Sequence, residues 1–281
     1  MQTSDQILTI ETSTSACSVA LQLASGKIVH RRQVGSNVHS QVLLPMVQQV
    51  LDEGAISMRD VQAIGVSRGP GSFTGLRIGI GVAQGLAYGA KKPMFGYTSL
   101  EVLIGQQLER KDKQLEPREK KLEPREKQLE PNRLIVAALD ARMNEVYWGV
   151  YQLQESVGHW PNLVGSQAIK VSPPLSVILD SASSIQVVAL GNAWTLYPEL
   201  ARQLDSHEVA LPSPESELEL LPHAIGLIQL YNIQQRAMPE ELQQSMLMPA
   251  DFRPLYVRDN VASKPVAKQH GLSPNKKFSK D

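Results

Sequence analysis

The alternation of apolar and polar residues in the first third of the chain predicts a sheet of short strands. Residues 7–10 and 17–23 form two predicted strands joined by a polar turn, and the apolar side chains of the second strand occupy every other position. Residues 27–34 follow as a third, antiparallel strand. Buried-type strands are predicted again at 61–67 and 93–97. Because predicted helices lie between these later strands, the pattern indicates a mixed sheet with helices on its faces.

The predicted helices carry more apolar or small surface than one sheet requires. The first spans 40–53, with Ser40 as its N-cap and Gly54 as its stop. Its apolar positions cover roughly 200° of the helix, whereas a surface helix needs about 100°. The second helix follows a glycine-rich loop at 69–75, and a third begins at Ser99.

The second helix contains residues 78–90, a run without a charge that holds four glycines. Each glycine costs a helix about 1 kcal/mol relative to alanine, so the run indicates that another backbone approaches closely. At about 100° per residue, two rows of small residues lie on different faces, with Gly81, Gly85 and Gly89 in one and Gly79, Ala83 and Ala87 in the other. One face suits the protein's own sheet. The other suits a further helix, from this protein or from a partner.

The rest of the chain divides into a charged repeat, a second structured block and a tail. The repeat reads QLEPREK and KLEPREK, and its prolines exclude a continuous helix. The second block has predicted strands at 134–139, 145–153, 163–171 and 186–190 and predicted helices near 174–181, 194–204 and 215–236. The predicted organisation is an N-terminal domain, a charged Pro-containing insertion or linker, a C-terminal domain and a basic disordered tail, at residues 1–108, 109–132, 133–257 and 258–281.

An internal similarity links the two structured blocks. ILTIETSTSACSVAL and IVAALDARMNEVYWGV each contain an apolar strand, an acidic residue at its end, a polar turn and a second strand. At one constant offset Glu11 falls on Asp140. A duplicated domain would place the two carboxylates on facing turns across a cleft, where they would hold a metal ion against phosphates.

The bulk composition bounds the class of protein. Lys and Arg balance Asp and Glu at 28 each, so no global electrostatic footprint for nucleic acid or membrane is present. Cys17 is the single cysteine, which excludes an internal disulfide and suits a reducing cytosol. No apolar stretch reaches the ~18 residues of a membrane span, and the first residues lack the features of a signal peptide. A cytoplasmic protein is expected.

Motifs for catalysis or metal binding are absent from the sequence. The segment GPGSFTG at 69–75 lacks the lysine of a Walker loop and the spacing of GxGxxG, which favours a tight turn that presents Ser72 and Phe73. The alternative is an anion bound by the exposed amides at the start of the following helix. His39 has Leu43, not a second histidine, four residues further on, so it is predicted to form a hydrogen bond at the helix start and not to bind a metal. No nucleophile–base pair is recognisable.

Several segments closely resemble the TsaB family, whose older name is YeaZ. They are ILTIETSTSACSVAL, HSQVLLPMVQQVL, SRGPGSFTGLRIGIGVAQGLAYGA, ALDARMNEVYW and RPLYVRDNVA. The resemblance covers about residues 6–105 and 133–262. It implies an α/β fold of two duplicated actin/Hsp70/sugar-kinase-like (RNase H-like) domains, with mixed sheets flanked by helices.

The resemblance also implies a function. It indicates a non-catalytic scaffold or dimerisation subunit of the complex that installs threonylcarbamoyl on the adenosine next to the tRNA anticodon. Such a subunit binds and activates the catalytic paralogue TsaD, works with the ATPase TsaE and reaches tRNA through the complex, and it is expected to form homodimers when alone. The alternatives are an actin-superfamily kinase or ATPase, and a metallopeptidase-like enzyme.

Two sets of site residues follow from the resemblance and the patterns together, with no catalytic residue and no metal ligand among them. The expected partner-binding residues are Leu43, Val47, Val50, Gly79, Gly81, Ala83, Gly85 and Gly89. The expected nucleotide- or phosphate-binding residues are Glu11, Thr12, Ser13, Gly69, Gly71, Ser72, Thr74 and Asp140. No cofactor is expected on the lone chain, and ADP or ATP with Mg²⁺ is considered for the junction between subunits.

Overall fold

The computed structural model describes residues 4–35, 38–108, 134–155, 161–165, 169–174, 186–202, 208–211 and 217–257. The predicted insertion 109–132 and the predicted tail 258–281 lie outside the described residues. The predicted helix at 174–181 does so too, apart from its first residue.

The first half of the chain forms a five-stranded mixed sheet. Its strands are β1 (Ile7–Glu11), β2 (Ala16–Gln22), β3 (Ile28–Val34), β4 (Ala63–Val66) and β5 (Met94–Phe95), in the order β3-β2-β1-β4-β5. β1 runs antiparallel to β2 and parallel to β4. Two helices, α1 (His39–Gly54) and α2 (Phe73–Ala90), pack side by side on one face and bury Leu8 and Ile10 of β1.

The second half repeats this arrangement. Its strands are β6 (Leu134–Arg142), β7 (Glu145–Glu155), β8 (Pro161–Gly165), β9 (Lys170–Ser172), β10 (Gln186–Leu190) and β11 (Glu208–Ala210). The order β8-β7-β6-β10-β11 matches that of the first sheet strand for strand, and β9 adds to β7. The predicted fold class, duplicated mixed sheets flanked by helices, is confirmed.

Two helices cross the predicted domain boundaries. α3 (Ser99–Gly105) follows the first sheet in sequence, yet its Leu100, Leu103 and Ile104 pack on the second sheet. α6 (Ala224–Ala237) follows the second sheet, yet it packs on the first, with Ile7 and Phe95. The two helices contact each other between the sheets, so each half of the chain completes the core of the other.

Prolines account for the main differences from the predicted helices. The helix expected over 215–236 is a 3-10 turn, Glu217–Leu220, followed by α6, because Pro222 disfavours a helical conformation in the residue before it. The helix expected over 194–204 is two short helices, α4 (Ala193–Leu196) and α5 (Glu199–Arg202), separated at Pro198. The last helix, α7 (Pro239–Ser245), was not predicted.

Smaller differences concern helix and strand ends. Ser40 is not the N-cap of α1, which begins at His39 after Val38 and has no side-chain cap. The strand expected over 163–171 is split between β8 and β9. None of the described helices combines the length and the apolar character needed to cross a bilayer.

Candidate functional site

The turn after β1 and the loop after β4 meet at the carboxyl ends of two neighbouring parallel strands. The Ser72 amide donates a hydrogen bond to the Ser13 carbonyl, with an N–O distance of 2.7 Å. A Cβ atom on Gly71 would lie 2.2 Å from the same carbonyl oxygen. Only glycine permits this approach, and ligands of open α/β sheets usually bind at this end of the strands.

The glycine-rich loop leads into α2 through a capped turn. Ser72 is the N-cap of the helix, and its Oγ accepts a hydrogen bond from the Gly75 amide at 3.2 Å. Thr12 Oγ1 donates to the Gly75 carbonyl at 2.9 Å, and a Cβ on Gly75 would lie 2.2 Å from the Thr12 carbonyl oxygen. The loop is therefore the tight turn that its sequence favoured, pressed against the β1–β2 turn.

A cavity of about 390 Å³ lies between the two halves of the molecule. Its volume falls within the range of small-molecule sites. Five of the expected phosphate-binding residues line it: Ser13, Gly71, Ser72, Thr74 and Asp140. Thr12 and Gly69 do not line the cavity and are buried against α2 and the loop before it. Their predicted role in binding phosphate is therefore corrected.

Asp140 is held in place on the second wall of the cavity. Its Oδ1 accepts hydrogen bonds from the Arg142 amide at 2.9 Å and from the Tyr197 hydroxyl at 2.8 Å, and its own amide donates to Asn192 Oδ1 at 3.0 Å. Burial, followed by the hydrogen bond and charge of Asp140, raises the pKa of Tyr197 to about 12. Tyr197 therefore stays a neutral donor that orients the carboxylate.

Glu11 does not share the cavity with Asp140, contrary to the expected pair of facing carboxylates. It is fully buried, does not line the cavity, and its Oε1 accepts the Ser13 amide at 2.5 Å. Burial raises the pKa of Glu11, while Ser13 and Arg32 act in the opposite direction.

Strand alternation explains the error. Glu11 lies on the same face of β1 as Thr9, whose Oγ1 donates to the Ala224 carbonyl of α6, in the layer between the sheets. Asp140 shares its face of β6 with Ala138, which packs with Trp194 of α4 on the outer side.

Within the described residues, no group of three or more His, Cys, Asp or Glu is arranged to hold a metal ion. The residues present therefore do not fit the Mg²⁺ site that was expected of this carboxylate pair.

Other predicted positions lie within the core. His39 is buried and its Nε2 lies 3.3 Å from the Ala16 carbonyl, which confirms its hydrogen-bonding role at the start of α1. Cys17 is also buried, as its place in the strand pattern indicated.

The two rows of small residues on α2 have different surroundings. Gly79, Ala83 and Ala87 face the protein's own core, and a Cβ on Gly79 would lie 2.1 Å from Thr12 Oγ1. Gly81, Gly85 and Gly89 have no atom within 4 Å of the position that a Cβ would occupy. We call this second row the open face of α2.

This arrangement contradicts the partner-binding prediction for five residues, which are buried in the protein's own core. Leu43, Val47 and Val50 of α1 are at most 4% exposed and belong to the core under the first sheet. Gly79 and Ala83 are buried on the inner face of α2. The wide apolar stripe of α1 thus serves the protein's own core, and Leu44, 54% exposed, is a large apolar residue of α1 that reaches the surface.

A C-terminal segment, residues 247–257, runs along α2 in the opposite direction. Leu247 pairs with Met94 at the edge of the first sheet. Gln84 Nε2 then donates to the Pro249 and Phe252 carbonyls at 2.6 and 3.2 Å. Further along, Arg77 Nε donates to the Tyr256 hydroxyl at 3.2 Å.

Sequence reasoning missed these contacts because they join residues far apart in the chain. The same holds for Arg77, Tyr197 and Tyr256, which were not candidates. The available signals were the RPLYVRD segment, already quoted for the resemblance, and the LGNAW segment that contains Asn192.

Comparisons with known proteins match this chain to a TsaD family model, to curated TsaB proteins and to solved YeaZ structures. The family model described as "TsaD: tRNA N6-adenosine threonylcarbamoyltransferase" matches residues 27–266. The tRNA threonylcarbamoyladenosine biosynthesis protein TsaB of Escherichia coli is 34% identical over 92% of this chain and 97% of its own length. The protein of the same name from Haemophilus influenzae is 29% identical over 92% and 95%.

Two solved structures are similar to this chain in both sequence and fold. YeaZ from Pseudomonas aeruginosa is 33% identical, with a TM-score of 0.67, and the match covers 90% of this chain and all of that one. A second Pseudomonas aeruginosa structure, described as an uncharacterized protein with similarity to peptidase YEAZ, is 33% identical with a TM-score of 0.69, covering 91% and 100% of the two chains.

Proposed function

The chain belongs to the TsaB (YeaZ) family of tRNA threonylcarbamoyladenosine biosynthesis proteins, and on this premise we propose that it is the non-catalytic scaffold subunit that binds and activates TsaD. TsaE and the tRNA are then further members of the assembly. In the absence of TsaD, two copies of this chain pair through the same surface.

One observation carries the proposal: the open face of α2. Gly81, Gly85 and Gly89 leave open space where side chains would be, and the run 78–90 has no charge that would resist desolvation. Three helical glycines cost about 3 kcal/mol relative to alanine, and no contact of this face within the described residues offsets that cost. Close packing of a partner helix against this backbone offsets it. Leu44 on the neighbouring helix adds an apolar contact.

The state of the carboxylates supports a non-catalytic role. Glu11 is withdrawn from the cavity and its pKa is raised by burial, so it is poorly suited to hold a cation against phosphate. Asp140 Oδ1 already accepts hydrogen bonds from the Tyr197 hydroxyl and the Arg142 amide.

A nucleotide role for the cavity is the second part of the proposal. Ser13, Ser72 and Thr74 line one wall. Ser13 Oγ is buried beside the Glu11 carboxyl and lowers the pKa of that group through a hydrogen bond, so Ser72 and Thr74 supply the hydroxyl groups for phosphate oxygens. Through these residues ADP or ATP is bound near the subunit junction.

The assembly is tested by co-purification with TsaD from the same organism. Gly85→Leu fills the open face without touching the protein's own core. We expect its affinity for TsaD to fall by about tenfold or more, because overpacking costs about 1–3 kcal/mol and about 1.4 kcal/mol is a factor of ten. The matched control is Arg202→Leu, which adds the same side chain at an exposed position of α5.

The activity arm measures threonylcarbamoyl transfer to tRNA by TsaD with and without this protein. Stimulation by the wild type and by Arg202→Leu, but not by Gly85→Leu, is the expected result. Normal assembly of Gly85→Leu would show that the open face is not the docking surface. ATP turnover by the lone chain would instead favour an actin-superfamily kinase or ATPase.

A further inference from the structure

Three planar side chains form a cluster at the rim of the cavity. The rings of Phe73 and Tyr256 have centroids 5.7 Å apart and are inclined by 38°. The guanidinium carbon of Arg77 lies 3.8 Å from the centroid of the Phe73 ring. Phe73 and Tyr256 both line the cavity, yet they remain 39% and 46% exposed.

Long-range contacts build this cluster. Phe73 and Arg77 are one helical turn apart at the start of α2, whereas Tyr256 arrives from the end of the described chain. The hydrogen bond from Arg77 Nε to the Tyr256 hydroxyl, 3.2 Å, joins the two parts. The Leu255 amide donates to the Arg68 carbonyl at 2.7 Å and anchors the segment beside it.

The chemistry of the rim differs from that of the interior. The interior offers hydroxyl groups, those of Ser72 and Thr74 among them. The rim offers two aromatic rings and a guanidinium, groups on which heteroaromatic bases stack. A ligand that matches both zones carries a phosphate at one end and a flat aromatic ring at the other.

We propose that Phe73, Arg77 and Tyr256 form a stacking subsite for the base of a nucleoside 5′-phosphate, supplied either free or by an unpaired position of an RNA strand. The inference rests on the nucleotide role proposed for the cavity and adds the group that recognises the base. The phosphate lies against Ser13 and Ser72, and the base lies against the rim.

Calorimetric titration of the full chain separates the base from the phosphate. The probes are AMP and ribose 5-phosphate, which share the sugar phosphate and differ in the base. We expect AMP to bind about tenfold more tightly or better, because its base can stack on the aromatic side chains of the rim and ribose 5-phosphate has no base. Phe73→Leu and Tyr256→Leu are expected to remove most of this difference while leaving the affinity for ribose 5-phosphate unchanged.

Tyr88→Leu is the matched control. Tyr88 is an exposed aromatic residue of the same helix, 79% accessible, and it does not line the cavity. Its substitution should leave both affinities at the wild-type value. A loss of AMP binding equal to that of Phe73→Leu would show that the rim is not a specific subsite.

A third titration, with a single-stranded RNA pentamer, identifies the source of the base. Competition between the pentamer and AMP supports an RNA base, and binding of AMP alone supports a free nucleotide. Equal affinity for AMP and ribose 5-phosphate would overturn the stacking subsite and leave the phosphate site intact. Binding of no probe would overturn both, without bearing on the assembly with TsaD.

Discussion

A Cβ atom on Gly79 would lie 2.1 Å from Oγ1 of Thr12, in the turn that follows the first strand. Thr12 cannot rotate away without cost, because the same Oγ1 donates a 2.9 Å hydrogen bond to the Gly75 carbonyl. The inner face of α2 therefore requires glycine for contact with the protein's own turn. The open face of the same helix has no such requirement.

Alanine substitutions on the two faces should have opposite effects on stability. Gly79→Ala is expected to lower the free energy of unfolding by about 1–3 kcal/mol through overpacking. Gly85→Ala is expected to raise it by up to about 1 kcal/mol, since alanine favours the helix. Urea unfolding of the lone chain at low concentration measures both. A destabilised Gly85→Ala would contradict the open space found beside that residue.

The exchange of α3 and α6 predicts that the N-terminal half does not fold alone. A fragment of residues 1–108 lacks α6 and leaves Ile7 and Phe95 without their cover. It also carries α3 without the second sheet on which Leu100 and Leu103 pack. We expect no cooperative urea transition for the fragment by circular dichroism. A sharp transition near the midpoint of the intact chain would show that the exchanged packing contributes little.

Two half-buried histidines predict a loss of stability in acid. The rings of His30 and His223 lie 5.6 Å apart, and burial, aided by neighbouring Arg32, lowers their pKa values to about 4 and about 3 from 6.5. Both pKa values are depressed on folding, so the unfolded chain takes up protons first as the pH falls. The stability from the neutral rings is complete above pH 6.5 and is lost between there and about pH 3.

The double variant His30→Gln, His223→Gln tests this assignment. Its free energy of unfolding should fall less between pH 7 and pH 4.5 than that of the wild type, whatever its value at pH 7. An unchanged slope would assign the acid sensitivity to other groups.

Glu11 predicts a pH dependence of the opposite sign. Burial raises its pKa above 4.5, so the native state favours the protonated carboxyl. Relative to Glu11→Gln, the wild type should be most stable in acid and should lose that advantage as the pH rises beyond 4.5. Urea midpoints of the two proteins at pH 4.5 and pH 8 provide the comparison. A wild type that gains on the variant at pH 8 would show that Arg32 compensates an ionised Glu11.

The features predictable from the sequence are those with a local period. The alternation of apolar residues predicts β1 and β2, and the spacing of the small residues at about 100° per residue predicts the two faces of α2. Duplication of the sheets was recognisable from the similarity of the two hairpins. Sequence alone left open which small-residue row of α2 is free, because either row can pack on a sheet.

The errors have a common physical origin in contacts between distant residues. At a constant offset Glu11 aligns with Asp140, but Glu11 pairs with Ser18 across its hairpin and Asp140 pairs with Val146. The second hairpin is thus one residue shorter, and a shift of one residue turns a side chain to the other face of the sheet. Tyr256 joins Arg77 across 179 positions, and no local pattern records such a pair.

The placement of residues 247–257 along α2 has a consequence for synthesis on the ribosome. The helix that carries the open face emerges early, but its flank is closed by residues translated near the end of the chain. Nascent chains therefore expose the flank of α2 at Gln84 until translation is almost complete, and during this interval their unfinished surface is prone to premature association. Only a chain translated as far as Val257 presents the finished surface to other molecules in the cell.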